Sequence, residues 1–211
     1  MNRNYLTRAI QVVLSTIGIG VAISFLLMTN LGTDPCSTIN RGISGRTGIS
    51  FGTCQLLINL LLLIIVVLWD KSLLGLGTIC NMVLVGYSAD FTTWILGNVF
   101  GTIQLTGMLQ RMIVMIFALA FFVACAGVYM NCDMGTAPYD AFCFLIHKKL
   151  CQITEKEIKF RNVRMVYDAS MSLIGFLLGG KVGIVTIGMI LTLGPTVDLV
   201  GSIFKKMGKY K

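Results

Sequence analysis

Arg164 and Asp168 stand four residues apart in a stretch otherwise apolar enough to enter lipid. Residues at that spacing are neighbours on one helix face. Ionised groups are costly in hydrocarbon, so such a pair faces protein or water, or else the arginine snorkels to the headgroups. Gln55 and Asn59 repeat the arrangement in neutral form, and each pair follows a phenylalanine, Phe51 or Phe160, at the same interval. Groups of this kind can hold a small polar or charged solute. A reaction centre is harder to assemble from this sequence. No Ser-His-Asp, His-Glu-x-x-His or paired intramembrane aspartate pattern is present, and the single His147 sits beside two lysines as a poor base. Gly75-Leu76-Gly77 lacks the strand–turn–helix setting of a phosphate loop. The seven cysteines are odd in number, scattered and without a Cys-x-x-Cys pair, which suits small apolar fillers better than metal ligands or disulfides. The expectation is no enzyme, no metal and no cofactor.

The elements that must position these residues follow from composition. Of 211 residues, 55% are hydrophobic and 12% charged, about half the charge of an ordinary soluble domain. The chain divides into apolar runs near 9–29, 51–69, 73–97, 108–131, 161–180 and 182–202, each close to the ~20 residues that cross a bilayer as helix. Backbone groups in lipid must be satisfied within the segment, and strand-like alternation is absent, so the spans are helices. The first run is too long for a signal core and is read as a retained helix.

A duplication organises the spans. Asn30-Leu31-Gly32-Thr33-Asp34-Pro35 returns as Asp133-Met134-Gly135-Thr136-Ala137-Pro138. Phe51, Gln55 and Asn59 return as Phe160, Arg164 and Asp168, and Gly75, Thr78, Gly86 and Asp90 as Gly183, Thr186, Gly194 and Asp198. The repeats cover 9–100 and 108–202 within one membrane domain, 1–211. Three blocks in one order point to a duplicated three-span unit, a usual skeleton of small transporters.

Charge sets the expected orientation. With a cytoplasmic amino terminus, the inside receives Arg3, Arg8, Lys71, Lys148, Lys149, Lys156, Lys159, Arg161, Lys205, Lys206, Lys209 and Lys211. The outside receives Arg41, Arg46 and Lys181, a positive-inside bias. Both termini are then cytoplasmic and, with three crossings per unit, the repeats are inverted. The net charge of +8 reads as topology and attraction to anionic lipid, and nucleic acid is not expected as a partner.

Pro35 and Pro138 suit first helical turns, with Asp34, Thr33 or Thr136 as caps, which predicts short helices over about 35–43 and 138–149. Two readings stay open: half-helices re-entering the protein with their positive ends toward a substrate, or interfacial helices in the headgroups. Asp90 and Asp198 are expected at solvated span ends, and the glycines of 75–78 and 183–186 as packing surfaces.

The two Gly-Thr-x-Pro segments, the run Thr47 to Thr53 and the run Gly175 to Thr186 resemble the YczE/YyaS/YitT-type family of bacterial membrane proteins. The likeness spans nearly the whole chain. It implies a bacterial cytoplasmic membrane location and supplies no catalytic or substrate residues. The first copy departs from the pattern with Leu76-Gly77 where the second has Ile184-Val185.

The resulting expectation is an all-α polytopic membrane protein of about six spans in two inverted repeats. Its leading function is a small secondary transporter for a small polar or charged solute. Candidate lining groups are Thr33, Asp34, Ser37, Gln55, Asn59, Thr136, Tyr139, Asp140, Arg164 and Asp168. The alternative is a non-transporting accessory or regulatory protein that acts through a partner docked on the basic loop around Lys148 and Lys149. The lipid bilayer is the expected partner in either case. A second copy of the chain or another membrane protein remains open.

Overall fold

A computed structural model describes residues 3–99 and 105–192. The elements are α1 (Arg3–Thr29), α2 (Pro35–Thr47), α3 (Phe51–Trp69), a 3₁₀ turn (Lys71–Leu73), α4 (Leu76–Asn98), α5 (Met108–Asn131), α6 (Pro138–Thr154) and α7 (Phe160–Leu177). An eighth helix, α8, covers 184–192. Among the described residues there is no strand. Four stretches are long and apolar enough to cross a membrane: Tyr5–Thr29, Phe51–Trp69, Leu76–Asn98 and Met108–Asn131. The second and fourth of these have the limits expected from their apolar runs. The expected fifth span coincides with α7, which is not one of the four. About half of the expected sixth, 193–202, lies outside the described residues, as do Gly194, Pro195, Asp198 and the basic tail from Lys205 to Lys211.

Burial explains how an apolar chain of this kind packs. Large apolar side chains such as Leu57, Leu61, Ile64, Phe117 and Ile184 are exposed, while Thr16, Ser24, Thr38, Asn40, Asn59 and Thr78 are buried. Lipid tails reward no burial of leucine, so helix contacts are made through small and polar groups. The centre is α1, which packs on α4 and α5. Its hydroxyls are satisfied locally or across the contact: Thr16 Oγ1 donates to the Val12 carbonyl at 2.8 Å, and Ser24 bonds Thr93 of α4 at 2.9 Å. Elsewhere α2 packs on α7 and α3, while α6 packs on α3 and α7. Exchanging the two sequence copies turns the α2–α7 contact into α6–α3, and α2–α3 into α6–α7.

The same exchange relates the hydrogen bonds that hold the copies together. Gly32 and Gly135 have φ of +98° and +107°, a region that glycine alone enters without strain. Each turn lays the segment after α1 or α5 against the opposite copy's Gly-x-x-Thr helix start. The Leu31 carbonyl accepts from Val185 N at 3.2 Å, and the Met134 carbonyl from Gly77 N at 2.7 Å. Thr33 N donates to Thr186 Oγ1 at 3.2 Å, and Thr78 Oγ1 donates to the Thr136 carbonyl at 2.8 Å. The segments 75–78 and 183–186 are thus more than the packing surfaces expected of them; each is a clasp for the other copy.

The short helices begin where Pro35 and Pro138 predict, and both run past their expected ends at 43 and 149. Asp34 caps α2 by accepting from Ser37 N at 2.9 Å, and Gly48 (φ +73°) closes it with a bond to the Ser44 carbonyl. Polar as it is, α2 buries Ser37, Thr38 and Asn40. α6 buries Tyr139, Ala141, Cys143 and Leu145.

One further expectation is corrected. Asp90 is not a freely solvated span end. It is half-buried, and its Oδ2 accepts from Gly52 N at 2.8 Å, satisfying an otherwise free amide in the first turn of α3. Beside it in function is His147, whose Nε2 lies 2.7 Å from the Ile158 carbonyl and ties α6 to the approach of α7.

Candidate functional site

The starts of α2 and α6 meet at a cavity of about 120 Å³. Its wall takes Asp34, Pro35, Cys36 and Ser37 from the first, and Ala137, Tyr139 and Asp140 from the second. Gln55 and Asn59 come from α3, Asn81 and Val85 from α4, Phe122, Ala126 and Tyr129 from α5, Ile19 and Ile23 from α1, and Arg164 from α7. Of the ten candidate residues, seven therefore share one cavity: Asp34, Ser37, Gln55, Asn59, Tyr139, Asp140 and Arg164.

The second copy contributes a closed ion network. Arg164 Nη1 lies 2.6 Å from Asp140 Oδ1, and its Nε lies 2.8 Å from Asp168 Oδ2. The Tyr139 hydroxyl donates to the other Asp168 oxygen at 2.9 Å. The Tyr139 ring packs 4.8 Å from Tyr167, whose hydroxyl donates to the Tyr139 carbonyl. Arg164 is 5% exposed, so the snorkelling reading fails: its guanidinium turns inward because two carboxylates receive it there. Pairs of this kind hold each other in register, and removing one member leaves a buried charge that costs about 3–5 kcal/mol.

The first copy presents a different surface. By repeat correspondence Ser37 stands for Asp140, Gln55 for Arg164 and Asn59 for Asp168, so every charge is replaced by a neutral group. Asn59 Nδ2 donates to the backbone carbonyl of Gln55 at 3.0 Å, which orients its amide. Asn59 Oδ1, Gln55 Oε1 and Asp34 Oδ1 are buried without a hydrogen-bond partner. Unpaired buried acceptors are unfavourable by roughly 1–3 kcal/mol each, so their retention asks for an explanation.

Three candidates fall outside the cavity wall. Thr33 and Thr136 are taken up by the clasps, since their backbones bond Thr186, Thr78 and Leu73. Asp168 is fully buried and meets the cavity through Arg164 and Tyr139, both of which line it. Sequence reasoning also missed lining residues. Asn81 stands in the second turn of α4 and Tyr129 in the last turn of α5, with Met189 and Leu26 at the corresponding positions of the other copy. The duplication gave no signal for either.

The basic loop is engaged internally. Lys148 Nζ lies 2.8 Å from Asp70 Oδ2, and Lys149 Nζ lies 3.9 Å from the centroid of the Trp69 ring. The hydrogen bond from Lys148, helped by Ser72, holds the Asp70 carboxyl well below the usual carboxylate range.

Among known proteins the chain is similar to an uncharacterized protein of Haemophilus influenzae, 27% identical over 196 residues that cover 92% of this chain and 82% of that protein. It is also similar to the uncharacterized protein YyaS of Bacillus subtilis, 26% identical over 176 residues, 81% of this chain and 83% of the relative. No solved structure matches. The likeness read from the Gly-Thr-x-Pro and glycine-rich runs is therefore met by bacterial relatives along most of the chain. A family profile covers residues 6–202, and the chain belongs to that family, described as a family of unknown function, DUF6198.

Proposed function

We propose that this protein is a small secondary transporter for a small polar or charged solute, a carrier rather than a catalyst. The observation that carries the reading is the polar cavity between the starts of two buried short helices, one from each sequence copy. Broken or short helices whose ends converge on a site between repeats are the usual way to place polar backbone at membrane depth. In this reading α2 and α6 are re-entrant. Six spans cross the bacterial cytoplasmic membrane as two inverted units, with both termini cytoplasmic. α7 serves as the fifth span because its mean polarity comes from one face: Arg164, Asp168 and Ser172 are buried, whereas Val166, Leu173, Phe176 and Leu177 are exposed. Inverted units make outward-open and inward-open forms near-equivalent by exchange of the copies' conformations.

Flux through purified protein in liposomes tests the proposal. A broad metabolite panel is expected to yield at least one carried solute, with transport lost in Asp140→Asn. No flux across the panel overturns it. Labelling from either side of intact cells tests the inversion: Ser44 and Glu155 are expected in opposite compartments. A non-transporting accessory role would use Lys148 and Lys149, and both are occupied by Asp70 and Trp69 within the chain.

A further inference from the structure

We propose that the cavity takes a small organic ammonium ion, an inference about substrate class that rests on the transport reading above. An –NH₃⁺ group carries three donors and no acceptor. Three acceptor oxygens without partners, Asp34 Oδ1, Gln55 Oε1 and Asn59 Oδ1, belong to residues that line the cavity. Each residue is more than nine-tenths buried, at 8%, 4% and 1% exposure.

Charge agrees with the donor count. Asp34, Asp140 and Asp168 set three carboxylates against the single guanidinium of Arg164, which is committed to two of them. The helix starts of α2 and α6 add about half a positive charge each at most, which leaves the site negative. An anionic solute would have to displace Asp140 from Arg164 and would still meet Asp34. A cation meets an open carboxylate oxygen at once.

Shape selects an organic cation over a bare metal ion. About 120 Å³ is several times the roughly 10–15 Å³ of such space that one water needs, so the cavity has room for a small organic ion. The remaining wall includes Ile19, Ile23, Val85 and Phe122, which would receive a short hydrocarbon portion. Tyr129 and Phe122 also offer ring faces that attract cations.

Binding to the purified full-length protein in detergent, read by calorimetry, tests this with n-propylammonium, 1-propanol and propionate as matched probes and sodium as the bare-cation control. Propylammonium is expected to bind at least tenfold more tightly than 1-propanol, with no binding of propionate. Asp34→Asn keeps a capping oxygen for Ser37 N and is expected to weaken propylammonium binding at least tenfold without a change in melting temperature. Equal binding of propylammonium and propanol, or preference for propionate or sodium, overturns the inference. Liposome flux separates the two claims. Propylammonium that binds but crosses no membrane supports the ammonium site and overturns transport, whereas carriage of a neutral or anionic solute with no ammonium binding overturns the ammonium site and leaves transport standing.

Discussion

The two halves of the cavity wall carry matching residue spacings and solve opposite problems. In the second copy, Tyr139, Asp140, Arg164 and Asp168 satisfy one another. In the first, Gln55 and Asn59 occupy the matching helix face and leave their carbonyl oxygens without partners. One half resembles a finished core; the other resembles a socket. The clasps around them use matching residues of the two copies, whereas the faces toward the cavity differ in charge. The difference separates residues kept for stability from residues kept at the expense of stability, and the latter are where ligand recognition is to be sought.

The comparison can be broken at the ion network first. Arg164→Met strands the buried Asp168 and the half-buried Asp140 and is expected to destabilise by about 3–5 kcal/mol, read as a fall in melting temperature in detergent. The double change Arg164→Gln with Asp168→Asn rewrites this face in the first copy's terms and is expected to recover more than half of that loss. If the double variant is no more stable than Arg164→Met, the two faces are not interchangeable solutions.

Next in size is the frame. Gly32→Ala and Gly135→Ala each force a Cβ into positive φ, where it would meet Thr186 Oγ1 at 2.5 Å or Thr78 Oγ1 at 2.8 Å. Losses of about 1–3 kcal/mol are expected for each, equal within a factor of two. A large inequality in melting temperature would show that the clasps do not share the load.

Opposite signs are expected from two conservative changes. Tyr139→Phe removes the donor to Asp168 and should destabilise by about 1–3 kcal/mol. Gln55→Leu removes an unpartnered oxygen and should be neutral or stabilising, while it abolishes solute binding. A destabilised Gln55→Leu would mean the first copy's face is also structural.

The smallest effect concerns Lys148→Ala. The Asp70 carboxyl is held down by Lys148 in the folded state, so its contribution is full above the ordinary aspartate value of about 3.9 and is lost as pH falls toward the lower folded value. The melting difference between wild type and Lys148→Ala is therefore expected to be small at neutral pH and to narrow on acidification below about pH 4. This exposed pair lies outside the cavity, and flux should be unchanged.

Much of the frame was legible before any coordinates. Long apolar runs set the limits of α3 and α5 because span length is imposed by the bilayer, and Pro35 and Pro138 marked helix starts for steric reasons that act within one turn. The i to i+4 spacing placed Arg164 beside Asp168. Partners distant in sequence were the blind spot. The repeat singled out Thr33 and Thr78 without saying that each bonds the opposite copy, and both threonines of the Gly-Thr segments were therefore misread as cavity lining. Asp90 was misjudged for the same reason, since its partner, Gly52 N, becomes visible only once α3 and α4 are side by side. Hydropathy averaged over a whole segment also hides a helix such as α7, whose outer face alone suits lipid.

Thr33 waits 153 positions for Thr186. A ribosome feeding this chain into the bilayer delivers Leu31 and Thr33 long before the residues that complete them. Until residues 183–186 emerge, that amide and carbonyl face hydrocarbon or stray water. The first unit is thus completed only by a segment of the second copy, made long after it.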